Sequence, residues 1–444
     1  MLSYLTGLIF WFGTVYWLIH VTLPGMIILV MYLALYFGIF GLIISSIQHP
    51  TSNIRLLFIP SLWVLLEYLR SHFFTGFPWA LLSYSQYLNL PAIQIADITG
   101  CWGVSFLVML VNVAVYLYFA RRKKYLLPLL CVIISLSYGY YKLYRTTNYQ
   151  PQTTVRISVI QGNITQELKW DPAAKRYIVE KYLMLTKEAL KANPDLIIWP
   201  EAALPVVLEE EPEFFERIKE FIQEINIPLF LGAVTFRGNL YHNSALLVSQ
   251  KDVLQYDKLH LVPFGEYIPF RKTFSFLEAV VPIGDFSRGK EYTLFVLPTL
   301  NTQHPAYFAA LICFEDLFPE LARNFTKKGA DFLVNITNDA WFKKTSSPYQ
   351  HFSASVLRAV ENRVSVVRAA NTGLSGFIAP SGEVISLVKD KDARDIFTDG
   401  YKTENIFVRP RRNLTFYSRY GDFFILICFL FAFHGIILPR KKTR

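Results

Sequence analysis

Six long, nearly uncharged runs bracket a polar middle, and they limit what this chain can fold into more than anything else in it. Five, at 4–21, 25–47, 56–69, 93–120 and 125–144, precede the polar block, and one, at 423–438, follows it. A run of that length reads as a helix that satisfies its own backbone inside hydrocarbon. The third is short and carries Glu67 and Arg70, so it reads either as a span or as a buried amphipathic helix. The first has no basic stretch ahead of it and is followed at once by further spans, which reads as a retained anchor. With 53% hydrophobic residues over 444, the chain is too apolar for a purely soluble protein.

The net charge of +10 would suit a nucleic-acid partner, but its placement argues for topology. Two dense clusters, Arg121 to Lys124 and Arg440 to Arg444, abut proposed span ends. Cationic juxtamembrane segments mark the cytoplasmic side. With both inside, five leading spans put the N-terminus inside and residues from about 147 to 420 outside. The sequence therefore divides into a membrane domain at 1–146, an extracytoplasmic domain at 147–412, and a last span with a basic tail at 421–444. No nucleic-acid partner is expected.

From 153 to about 409, short apolar runs alternate with amphipathic stretches. RISVIQ, DLIIW, PLFLGAVTF, NSALLVS, YFAALIC, DFLVNIT and SVVRAA read as strands, and 171–191, 211–225, 315–328 and 346–362 as helices. This alternation predicts an α/β domain. The loop at 75–87, TGFPWALLSYSQY, is aromatic and reads as an interfacial belt or as the wall of a lipid-facing cavity.

Three segments in the polar block carry chemistry: Trp199-Pro200-Glu201, Asp257-Lys258-Leu259 and Cys313-Phe314-Glu315. Each ends or follows a strand-like run, so a carboxylate, an ammonium and a thiol can meet at one sheet edge. Those groups suit covalent acyl transfer. Cys313 stands where a strand gives way to a helix, so the helix dipole is expected to favour its thiolate. The Phe314 amide is expected to face an oxyanion forming beside the sulfur. Pro200 ends its strand and displays Glu201 beyond the sheet as a general base. Lys258 is placed to lower the thiol pKa and bind an oxyanion. Glu266 and Glu315 could orient Lys258 or a substrate amine. His260 and His351 are weaker candidates for a Cys–His pair. Cys101, Cys131 and Cys428 fall in proposed spans, so no disulfide is expected in the polar block. No metal motif or nucleotide-binding glycine pattern is present, and no cofactor is expected.

Glu in WPE, Lys in DKLHLVPFGE and Cys in ICFE, in that order, resemble the nitrilase superfamily. That resemblance implies an α-β-β-α sandwich with a Glu-Lys-Cys triad. VIQGNITQELKWDP, LVPFGEYIP, NDAWF and the 75–87 loop, together with the membrane flanks, are similar to its apolipoprotein N-acyltransferase branch. The branch implies transfer of an acyl chain from a phospholipid to Cys313 and on to the N-terminal amine of an apolipoprotein. It implies Cys313 as nucleophile, Glu201 as base and acid, Lys258 as oxyanion stabiliser, Glu266 and Glu315 as supporting carboxylates, and Trp341 lining the acyl site. It also implies a multi-pass protein of the bacterial inner membrane, its catalytic domain periplasmic, working as a monomer. There are two departures from the pattern. Phe314 stands where tyrosine is common, and the N-terminal region is about two spans shorter than the family's eight. The triad alone leaves open a membrane-tethered amidase that hydrolyses its acyl-enzyme, or a lipid-binding scaffold without activity.

Overall fold

The computed structural model describes all residues except 47–52, 122–124, 148–153, 270–285, 298–304, 409–412 and 438–444. Most of both basic clusters used above to orient the chain lies outside the described residues. The chain forms two compact units. One comprises Met1–Tyr149, Thr345–Arg363 and Leu414–Arg444; the other comprises Gln150–Lys344 and Val364–Asn413.

The first unit is helical. Its leading helices are α1 (Leu2–Val15), α2 (Leu23–Ser46), α3 (Asn53–His72), α4 (Leu90–Ile93), α5 (Ala96–Thr99), α6 (Cys101–Phe119) and α7 (Leu126–Thr147). Among the described residues, four helical stretches are long and apolar enough to cross a membrane: Leu2–His20, Leu23–Ser46, Cys101–Phe119 and Leu126–Arg145. The run expected at 93–120 is thus not one helix. Gly100, at φ +66°, ends the short α5 and lets α6 start afresh. α3 is not among the four, and both of its charged residues near the C-terminal end, Glu67 and Arg70, are buried. Arg70 donates to the carbonyls of Phe77 and Trp79, and Glu67 accepts the Leu82 N–H, so this pair folds the aromatic loop that follows. That loop's Trp79 packs on Trp17 and on the ring of His351.

The second unit is built on two six-stranded sheets. In chain order its elements are β1 (Thr154–Gln161), α8 (Gln166–Lys169), α9 (Lys175–Ala189), β2 (Leu196–Ile198), α10 (Pro212–Ile225), β3 (Leu229–Arg237), β4 (Leu240–Val248), β5 (Val253–Asp257), β6 (Phe295–Leu297), β7 (Ala306–Ile312), α11 (Pro319–Lys328) and β8 (Phe332–Thr337). α12 (Ser347–Asn362) then returns to the first unit. β9 (Ser365–Ala370), β10 (Gly376–Ile378), β11 (Val384–Leu387) and β12 (Gly400–Phe407) complete the sheets, and α13 (Phe416–Tyr420) and α14 (Phe423–Ile437) close the described chain in the first unit.

The sheet orders are β12-β1-β2-β3-β4-β5 and β11-β10-β9-β8-β7-β6. In each, a parallel centre is flanked by antiparallel strands, as in β1-β2-β3 and β7-β8-β9. Phe230 of β3 meets Phe295 of β6 and Phe308 of β7 at ring separations of 5.0 and 5.1 Å, so the sheets pack face to face. Helices α9 and α10 bury Tyr182, Leu183, Phe221 and Ile222 against the first sheet. The result is the α-β-β-α sandwich.

Candidate active site

Three chain segments leave the sheets at neighbouring points and bring their side chains together. β2 stops at Ile198, and Pro200 and Glu201 follow in a turn. The turn packs tightly on β3, because a Cβ on Gly232 would lie 2.6 Å from Glu201 Cα and 2.7 Å from the Ala202 nitrogen. Ala202 itself is left-handed, at φ +45°. Glu201 does lie beyond its strand, but at 8% exposure it is buried, not displayed to solvent.

Lys258 follows β5 directly and is 1% exposed. Its N–H donates to the Asn243 carbonyl, and its Nζ lies 3.7 Å from Glu201 Oε1 and 2.9 Å from Glu266 Oε1. Asn243, on β4, donates from Nδ2 to Oε1 of both glutamates at 2.8 Å each. Glu266 also accepts the Val262 N–H, which folds the 262–266 turn around its carboxylate. Burial alone would pull the Lys258 ammonium down, but Glu266 and Glu201 outweigh it and hold its pKa above the ordinary lysine value.

Cys313 follows β7 and begins a five-residue 3₁₀ turn, Cys313–Leu317; α11 starts only at Pro319. The expected helix at 315–328 is therefore shorter, and Cys313 does not cap it. The α11 dipole therefore does not act on its thiolate as expected. What holds Cys313 is its own backbone, left-handed at φ +52°, a conformation that costs a non-glycine residue about 1–3 kcal/mol. Asn335 grips it from below, donating to the carbonyls of Leu311 and Cys313. Asn335 is in turn fixed by buried Arg368, which also pairs with Asp316 at 2.9 Å and Asp339 at 3.5 Å.

The electrostatics of the half-buried thiol differ from the expectation. Burial and the Glu201 charge push the Cys313 pKa up, and Lys258 opposes them without winning. The sulfur thus rests protonated beside a carboxylate and an ammonium. Both charges act on it, so the three residues share one site.

Glu315 does not reach the Lys258 ammonium by any described hydrogen bond. Its Oε1 accepts the N–H groups of Leu259 and His260, its Oε2 accepts Ile312, and the Tyr256 hydroxyl donates to it as well. Burial pushes its pKa up to about 7, against the Ile312 N–H, Lys258 and the remaining donors. Phe314 is buried, its ring 6.1 Å from that of His260 and 5.2 Å from that of Phe318. His260 stacks on Phe318 at 3.7 Å, and His351 lies on α12 of the other unit. Trp341 is 41% exposed on the 3₁₀ turn Asp339–Phe342 after β8. Among the described residues no cluster of His, Cys, Asp and Glu could hold a metal ion.

The sequence did not single out Asn243, Asn335, Arg368 or Lys169. Lys169 is 2% exposed and donates from Nζ to the Glu201 main-chain carbonyl at 3.0 Å. The one signal for it was its place in the QELKW stretch.

Comparison with known proteins agrees with this architecture. The family model described as the apolipoprotein N-acyltransferase N-terminal domain matches residues 1–114, and that described as carbon-nitrogen hydrolase matches 156–398. The apolipoprotein N-acyltransferase of Geobacter metallireducens is 39% identical over 96% of this chain and 84% of its own length. Apolipoprotein N-acyltransferase 2 of Treponema denticola is 29% identical over 91% of this chain and 81% of its own. A solved nitrilase-superfamily amidase from Nesterenkonia AN1 covers 62% of this chain and 97% of that one, at 18% identity and a TM-score of 0.44.

Proposed function

The chain belongs to the apolipoprotein N-acyltransferase family, and from that premise we propose that it acylates the N-terminal amine of apolipoproteins through a thioester on Cys313. The donor is a membrane phospholipid. The observation that carries the mechanism is the pair of opposite charges, Glu201 and Lys258 at 3.7 Å, both acting on a protonated thiol held in a left-handed turn.

Two half-reactions follow. Glu201 takes the thiol proton as Sγ adds to the ester carbonyl carbon, and the carbonyl oxygen becomes an oxyanion facing the Lys258 ammonium. Collapse breaks the bond to the glycerol oxygen, which leaves as an alcohol with the proton from Glu201, and the acyl group stays on sulfur. The acceptor amine then adds to the thioester, and Glu201 takes its proton. Collapse expels the sulfur, which recovers that proton, and the product is an amide. A sulfur that rests as a thiol attacks only when a carbonyl is present to take the charge. It is also less open to oxidation than a thiolate would be.

Glu266 and Asn243 hold Lys258 and Glu201 in register, and Glu315 holds the loop of Lys258 against the turn of Cys313. Trp341, exposed on its turn, is placed for contact with an acyl chain. Residues 147–412 act as the catalytic domain on the periplasmic side of the inner membrane. The basic clusters at 121–124 and 440–444 support that orientation.

The test is product analysis in detergent micelles with labelled phospholipid and a peptide bearing an N-terminal diacylglyceryl-cysteine. The label is expected on the peptide amine, with lysophospholipid formed in equal amount. Release of free fatty acid with no labelled peptide would assign the site to hydrolysis.

A further inference from the structure

A lysine ammonium is costly to bury, and one held by a single neutral acceptor gains little in return. Lys169 is such a group. It lies at the end of the four-residue α8, and among the described residues the acceptor of its Nζ hydrogen bond is the Glu201 carbonyl. α8 is tied down on its other side, where Asn338 donates to Gln166 at 3.0 Å. The peptide that Lys169 grips leads into Ala202, the left-handed residue of the same turn. From the sheet side, the Ala203 N–H donates to the Gly232 carbonyl and the Gly232 N–H to the Pro200 carbonyl. The Glu201 main chain is therefore held from two directions, by β3 and by Lys169.

We propose that Lys169 is a positioning residue for acyl transfer: its ammonium clamps the Glu201 main chain and so sets the carboxylate that works on Cys313. The inference rests on the reading of Glu201 as the base. Its electrostatics fit, since burial pulls Lys169 down to about 8 while Glu201 and Cys313 act against that pull, which places its charge within reach of both. A lysine there for packing alone would be replaceable by methionine, which fills similar volume without the desolvation cost.

The experiment measures acyl-enzyme formation from phospholipid by the purified full-length chain, in wild type, Lys169→Met, Glu201→Gln and the double variant, with melting temperatures for each. Lys169→Met is expected to melt no lower than wild type, to lose about 100-fold in kcat, and to keep KM within about threefold. In the Glu201→Gln background the same substitution is expected to change the rate less than about threefold, because the group it acts through is already gone. A wild-type rate for Lys169→Met overturns the proposal. So does an equal loss in both backgrounds, or a loss that tracks a fall in melting temperature. If wild type itself forms no acyl-enzyme, the covalent reading of the site fails first and takes this inference with it.

Discussion

Glu315 Oε1 accepts the main-chain N–H of Leu259 at 2.7 Å, so the residue two places after Cys313 grips the residue next to Lys258. Its other oxygen accepts Ile312, the residue just before Cys313. One carboxylate therefore fastens the exit of β5 to the exit of β7, which belong to different sheets. The distance between Lys258 and Cys313 depends on that fastening.

Glu315→Gln is expected to keep the fold but slow acyl-enzyme formation by about 10- to 100-fold, since the amide offers one acceptor where the carboxylate offers two. The pH dependence has a definite sign. Glu315 has a raised folded pKa, so its contribution to stability is fully present below about 4.5 and is lost as pH rises through about 7. The melting temperature of Glu315→Gln relative to wild type should therefore rise between pH 5 and pH 8. A constant difference across that range would contradict the assignment.

Asn243 keeps two carboxylates and one ammonium in a single buried cluster by donating to both acids. Asn243→Asp replaces that shared donor with a third carboxylate. Acyl-enzyme formation is expected to fall at least about 100-fold, with stability lowered by about 2 kcal/mol from unpaired like charge. Denaturant melts alongside single-turnover rates check both.

Removing the cation is harsher. Lys258→Met leaves the buried Glu201 and the partly buried Glu266, its side chain 11% exposed, with no ammonium between them. Breaking a buried pair by deleting one partner costs about 3–5 kcal/mol. The variant should be both inactive and markedly less stable, in contrast to Lys169→Met. Equal melting temperatures for Lys258→Met and wild type would show that the cluster is not the ion-paired site described.

Gly232→Ala tests the seat of Glu201 without touching any functional group. The added methyl would come within 2.6 Å of backbone atoms that cannot rotate away. A loss of about 3 kcal/mol in stability is expected, together with reduced activity in whatever protein remains folded.

Much of this was legible in the sequence because strands and their exits are local signals. DLIIW and YFAALI became the strands that lead to Glu201 and Cys313, Cys313 following at once and Glu201 three residues after Ile198, and Lys258 directly follows β5. What could not be read was what the surroundings do to those residues. The turn after Cys313 looked like the start of a helix because Glu315 to Lys328 is amphipathic; Pro319, a natural first helical residue, moved the start four residues on. Lys258 near the thiol suggested a lowered pKa, yet burial and Glu201 prevail, and burial depends on packing from residues far along the chain. Asn243, Asn335 and Arg368 act across strands, through registers that no local pattern encodes. Gly100 moves the start of one membrane run to Cys101, and in another Glu67 and Arg70 serve the loop that follows.

The central claim is that Cys313 carries the acyl group between donor and acceptor. Intact-mass measurement of the full-length protein incubated with phospholipid alone tests it most directly. Wild type should gain the mass of one acyl chain, map it to Cys313, and lose it to neutral hydroxylamine, while Cys313→Ser should gain no such hydroxylamine-labile adduct. Full transfer to a lipopeptide with no adduct on Cys313 at any time would contradict the account.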